Sequence, residues 1–124
     1  MPGAPLLLVE DDPAVGRLMG RVLERAGWAP VLCAEPGEAR AAARRQPPGV
    51  AVIDLGFGPD GGIALARELR AQVPGVPLLF VSGSPPSPAE REWIDEAGAC
   101  FLSKPFSPDG LTDVVARLAA AGSA

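Results

Sequence analysis

The chain has no histidine and one lysine, Lys104, among its 124 residues. Without imidazole it can build neither a histidine-based catalytic dyad nor a histidine-ligated zinc site, and it cannot itself carry a phosphohistidine. Cysteine is nearly as scarce. Cys33 and Cys100 are the only two, they have no metal-binding spacing, and both read as small apolar residues, buried or half-buried. Basic residues do not cluster beyond Arg44-Arg45 and the net charge is −4, which argues against nucleic acid as a partner of this domain. No apolar run approaches the ~20 residues of a membrane span. The opening MPGAP lacks the basic and apolar stretches of a secretory signal. A cytoplasmic domain without membrane contact is expected.

What is present suffices for one core. A length of 124 residues with 48% hydrophobic content suits a single domain, and at this size about two-thirds of the unfolded surface can be buried. Proline and glycine number 15 each, but they punctuate the chain between periodic segments rather than forming a disordered tract. No internal repeat is found. Residues 1–121 read as the folded domain and 122–124, GSA, as a frayed tail.

The pattern alternates strand and helix five times. Apolar runs at 5–10, 29–33, 50–54, 76–82 and 99–103 are short and continuous, as in parallel strands buried on both faces. Helical faces follow them. Val15, Leu18, Met19, Val22, Leu23 and Ala26 form one stripe, with Gly27 placed as its C-terminal cap. Leu111, Val114, Val115 and Leu118 form another, and Ile63, Ala66, Leu69 and Val73 a looser third. Asp12-Pro13, Ser87-Pro88 and Ser107-Pro108 each set a capping side chain before a proline at the first helical position, with Glu35-Pro36 a weaker version. Ser87 and Glu90 have capping-box spacing. Right-handed crossovers then give helices on both faces of a parallel sheet.

In such a sheet all strand C-termini lie on one edge, where ligand crevices form. Glu10 and Asp11 close PLLLVE-D, Asp54 closes VAVID, Ser82 closes VPLLFVS, and Lys104 follows ACFLS. Residues scattered over most of the chain therefore converge on one pocket holding carboxylates, a hydroxyl and an ammonium. That donor set suits a hard divalent cation and a phosphoryl group. Asp12, with Pro13 behind it, reads as a helix cap rather than a ligand.

The segments VED at 9–11, VIDLGFGPDGG at 52–62, VSG at 81–83 and GACFLSKPF at 98–106 resemble, in this order, a two-component response-regulator receiver domain. The resemblance covers nearly all of the chain. It implies an α/β flavodoxin-like three-layer sandwich, a doubly wound (βα)5 fold with five parallel strands in the order 2-1-3-4-5. It implies Asp54 as phosphoacceptor and Mg2+ as cofactor, ligated by Asp11, Asp54 and the backbone carbonyl of Gly56, with Glu10 acting through bound water. It implies Lys104 paired with Asp54 at rest and with a phosphoryl oxygen after transfer, and a cis bond before Pro105. Ser82 and Phe101 take the family's switch positions. The implied donor is a histidine kinase or histidine phosphotransfer protein. An output domain or protein partner is implied on the face of the fourth helix, fifth strand and fifth helix. The resemblance further implies a domain that promotes its own phosphorylation and dephosphorylation without being a turnover enzyme.

There are departures. Gly58 stands where the family commonly has proline, and Gly56, Gly58, Gly61 and Gly62 together suggest a mobile loop and a short-lived phosphorylated state. Trp28 reads as core, and Trp93 either as core or as part of the partner-binding face. A haloacid-dehalogenase-type phosphatase uses similar groups, but needs an aspartate where Gly56 stands and places its acidic pair elsewhere in the chain. A receiver-like scaffold that works without phosphorylation is the remaining alternative. VLERAGW and KPFSPDGL also resemble receivers fused to hybrid sensor kinases.

Overall fold

The computed structural model describes residues 3–122. Strand and helix alternate as β1 (Ala4–Val9), α1 (Pro13–Arg25), β2 (Trp28–Cys33), α2 (Pro36–Arg45), β3 (Val50–Asp54), α3 (Gly62–Gln72), β4 (Leu78–Ser82), α4 (Pro88–Glu96), β5 (Cys100–Ser103) and α5 (Pro108–Gly122). The strands form one parallel sheet in the order β2-β1-β3-β4-β5. This is the doubly wound architecture that the sequence implies. Helix α5 runs through Gly122, one residue into the expected tail, and residues 123 and 124 lie outside the described residues.

Strict alternation divides each central strand between two cores. Leu7, Val9, Ala51, Ile53, Leu78 and Phe80 pack with α2, α3 and Ile94 of α4. Leu6, Leu8, Val50, Val52, Leu79 and Val81 pack with Met19 and Leu23 of α1 and Leu111, Val115 and Leu118 of α5. Continuous apolar strands are thus the signature of a sheet covered on both sides.

The edge strands depart from the expected double burial. Strand β2 pairs only with β1, and its Val31 and Leu32 remain 41% and 39% exposed. Trp28 is half-buried against the α1–α5 core rather than enclosed by it. Pro30 is tolerated here because an edge strand has a side with no ladder to interrupt. Cys33 is buried, which pushes its thiol pKa up to about 11, and Cys100 is half-buried.

The helix starts behave as their residues dictate. The Asp12 carboxylate accepts from the N–H groups of Ala14 at 3.0 Å and Val15 at 3.3 Å. Ser87 and Glu90 form the reciprocal capping box, at 3.1 and 2.7 Å. Ser107 Oγ accepts from Gly110 N. Glu35 caps nothing with its side chain; Glu38 instead accepts from Ala34 N. Gly27 follows α1 with φ 101°, the left-handed conformation that ends a helix.

Candidate functional site

The site lies at the C-terminal edge of the sheet, where alternation aims the side chains. Asp54 continues the Val50 and Val52 series toward α1 and α5, and Lys104 continues that of Cys100 and Leu102. Glu10 follows β1 on the same parity as Leu6 and Leu8, its N–H still bonded to Cys33 O at 3.1 Å. Ser82 and Phe101 fall on the opposite parity, with Phe80, toward α4. The charged groups and Ser82 therefore share one rim, Phe101 lies below it in register with Phe80, and Ser82 and Phe101 face a different helical layer from the charged groups.

Glu10, Asp11 and Asp54 each offer a carboxylate oxygen within 4.8 Å of the others. Glu10 is enclosed, with 1% of its side chain exposed, whereas Asp11 is exposed and Asp54 lies between. Lys104 Nζ donates to Glu10 Oε1 at 2.8 Å and sits 3.6 Å from Asp54 Oδ2. The lysine thus holds Glu10 more closely than the Asp54 pairing read from the sequence. The cause is depth: Glu10 is the most buried of the three carboxylates and attracts the cation most strongly. Asp12 N donates to the second Glu10 oxygen at 3.2 Å, so the acidic turn is also self-bonded.

The electrostatics follow from burial. Burial pushes the Glu10 carboxyl above its ordinary range and the negative charge of Asp54 adds to this, while bonds from Lys104 and Asp12 N oppose it without cancelling it. For Lys104, burial acts downward, but the Glu10 bond and the charges of Glu10 and Asp54 outweigh it and raise the ammonium's pKa. Lys104 is therefore a fixed cation, and the cost of burial and charge crowding falls on Glu10.

Asp54 is aimed by the turn that follows it. Gly56 N donates to Asp54 Oδ1 at 3.1 Å, and Phe57 N to the Asp54 carbonyl at 3.0 Å. The buried Phe57 ring anchors this turn in the core, and several of the neighbouring glycines have definite structural tasks. Gly58 and Gly61 hold φ of 73° and 85°, values that disfavour other residues. Gly62 is a close approach: a Cβ there would stand 2.5 Å from the Asp54 carbonyl oxygen. The sequence showed Gly62 only as one glycine of a run, and its packing role depends on how α3 returns across β3.

Ser82 Oγ accepts from Ser84 N at 3.1 Å. Lys104 N donates to Ser82 O at 2.8 Å, which ties the lysine's backbone to β4, and the Lys104–Pro105 bond is cis, as the resemblance implied. Phe101 is half-buried beside α4, with the Arg91 guanidinium over its ring. Trp93 packs edge-on against Phe80, with ring centroids 6.0 Å apart, so it belongs to the α2–α3–α4 core while remaining partly exposed.

Residues 6–116 match the response regulator receiver domain family, and the chain belongs to that family. Among similar proteins, the probable transcriptional regulatory protein TcrX of Mycobacterium tuberculosis is 30% identical over 115 residues, covering 93% of this chain and 48% of that protein. The transcriptional regulatory protein BaeR of Escherichia coli is 33% identical over 119 residues, covering 91% of this chain and 45% of BaeR. The chain thus spans less than half the length of these relatives. A two-component response regulator of the LuxR family from Aurantimonas sp. superposes with a TM-score of 0.84 at 30% identity, covering 96% of this chain and 86% of that one. The fold also matches a receiver domain protein from Methanospirillum hungatei, with TM-score 0.89 at 23% identity over 98% of this chain and 97% of that one. Receiver domains are signalling modules of two-component systems rather than classical enzymes. Among the described residues, no helix is long and apolar enough to cross a membrane.

Proposed function

We propose that this receiver domain takes a phosphoryl group from a phosphohistidine on a histidine kinase or phosphotransfer protein onto Asp54, and that the added charge shifts it between two conformations. The observation that carries this reading is the convergence of Glu10, Asp11 and Asp54 beside the sole lysine. Crowded carboxylates are costly unless a cation joins them, and an all-oxygen donor set fits magnesium. Asp11, Asp54 and the Gly56 carbonyl would hold Mg2+, with Glu10 acting through its water. When bound, the ion supplies positive charge to the phosphoryl oxygens.

The chain's own groups do the rest. Asp54 Oδ1 accepts from Gly56 N, and Oδ2, on the Lys104 side, is the oxygen that attacks phosphorus. The new O–P bond forms as the P–N bond of phosphohistidine breaks, and the imidazole departs with the electron pair. Carboxylate is a weak nucleophile, so alignment and neutralisation carry the step. Lys104 pairs with one phosphoryl oxygen, and Ser82, released from Ser84 N, donates to another. Phe101 then turns inward behind Ser82, and the face formed by α4, β5 and α5 presents the change to an output domain or protein partner.

The test is magnesium-dependent labelling by a small phosphodonor such as acetyl phosphate, read by intact mass. One phosphoryl group is expected, lost with chelator and lost in Asp54→Ala; labelling that survives either treatment would overturn the assignment. Gly56 leaves the acceptor uncovered, since a Cβ there would meet only Asp54 Oδ1, at 3.9 Å. Gly56→Arg is therefore expected to lengthen the life of the labelled state, measured by decay after donor removal.

A further inference from the structure

The outer side of Phe101 is occupied by a cation. Arg91, one turn into α4, holds its guanidinium carbon 5.5 Å from the Phe101 ring centroid, within the range of cation–π attraction. Its Nη1 lies 3.8 Å from Asp95 Oδ1, one turn further along the same helix. Phe101 packs inward against the core that contains Phe80 and Ile94. Outward, it borders an open groove of about 510 Å³ whose wall includes Arg91, Ala99, Val114 and Arg117. The ring is thus placed between an apolar interior and one arginine at the groove's rim. Helix α4 buries only Ile94, and Arg91 reaches from this short helix to the Phe101 ring of β5.

We infer that Arg91 is a positioning residue for the switch: its guanidinium over the ring holds Phe101 in the half-buried arrangement it has here and sets how readily phosphorylation turns it further inward. This rests on the reading of Phe101 as the switch aromatic. The aromatic face attracts a cation, and the arginine stem adds apolar cover. Inward rotation of the ring breaks that contact, so the contact stabilises only the resting arrangement. A group that favours one of two states shifts the equilibrium by its differential interaction. Removing it favours the inward state, and anything that binds that state better then binds more tightly.

The experiment uses the full chain with fluorinated phenylalanine at its four phenylalanine positions, the Phe101 resonance being assigned by its loss in Phe101→Leu. The protein is titrated in magnesium with beryllium fluoride, a phosphoryl mimic, and binding is followed by the ligand's own fluorine signal. Arg91→Ala is expected to lower the half-saturating concentration about two- to five-fold, to speed labelling by acetyl phosphate comparably, and to shift the resting Phe101 resonance toward its ligand-bound position. Arg91→Lys, which keeps a cation, is expected to fall between. Asp95→Asn removes the ion pair but leaves the guanidinium over the ring, and is expected to titrate like the wild type. If Phe101 responds in the wild type and Arg91→Ala titrates identically, the role of Arg91 is overturned and the switch reading stands. If Asp95→Asn reproduces Arg91→Ala, the helix ion pair and not the ring contact is responsible, and the inference fails. If the wild-type Phe101 resonance ignores bound ligand, both readings fall.

Discussion

The rim of the sheet has two unlike halves. On one side β1 and β3 carry Glu10, Asp11 and Asp54 at the ends of strands whose residues Leu6–Val9 and Val50–Ile53 are at most 2% exposed. On the other, β5 has no fully buried residue and α4 encloses only Ile94. The carboxylates thus stand on deeply buried strands, and Ser82 and Phe101 face a more lightly held part. Phosphoryl transfer needs alignment within a fraction of an ångström, whereas a conformational response needs an element that can shift at low cost. Substitutions on the first half should abolish chemistry or stability, and those on α4 should alter the response while labelling still occurs.

The largest expected effect is Asp54→Ala, which removes all labelling with the circular dichroism spectrum unchanged. Next is Gly62→Ala. Its methyl group would press on the backbone of Asp54 itself, so a loss of about 1–3 kcal/mol in urea unfolding is expected, together with slowed labelling. Lys104→Ala follows, at about 2 kcal/mol near neutral pH without magnesium, because it leaves the enclosed Glu10 carboxylate without its cation. This loss has a defined pH dependence. Glu10 in the folded protein has its pKa raised above 4.5, so its contribution to stability is complete below that value and declines as pH rises through the folded pKa. Lys104 is one of the groups holding that pKa down. Its removal steepens the decline, and the deficit should nearly vanish at acid pH and grow toward neutrality. Lys104 itself, raised from 10.5, contributes until the pH passes its folded pKa. The smallest effect belongs to the other half. Ser87→Ala removes the α4 capping box for about 1 kcal/mol, seen as faster amide exchange in α4, while acetyl phosphate still labels Asp54.

Most of this arrangement was legible because it depends on local order along the chain. Runs such as VAVID and PLLLV announce covered strands, and a polar residue closing each run marks the common rim. Proline after Asp12, Ser87 and Ser107 marks helix starts. What was not legible depends on distances across the sheet. Sequence shows that Lys104 and three carboxylates meet, but not that Glu10 lies deepest and takes the closest bond. It gives Gly62 as loop chemistry, while the tight approach of α3 to β3 makes it a packing requirement. The solvent exposure of Val31 and Leu32 follows from β2 ending the sheet, and an apolar run does not record its rank among its neighbours. Arg91 carried no signal at all, because a helix-surface arginine becomes specific only when an aromatic ring lies beneath it.

The alternation that aims Glu10, Asp54 and Lys104 at one helical layer also sets which insertions the chain can accept. A residue added in the connections at the opposite end of the sheet lengthens a loop and leaves every side chain where it was. The same residue added inside β1 or β3 would invert the parity downstream, turning a carboxylate toward α2 and α3 and exchanging the two cores. The strands thus serve as an indexing scale that keeps distant segments in phase, while the far loops are free to change length.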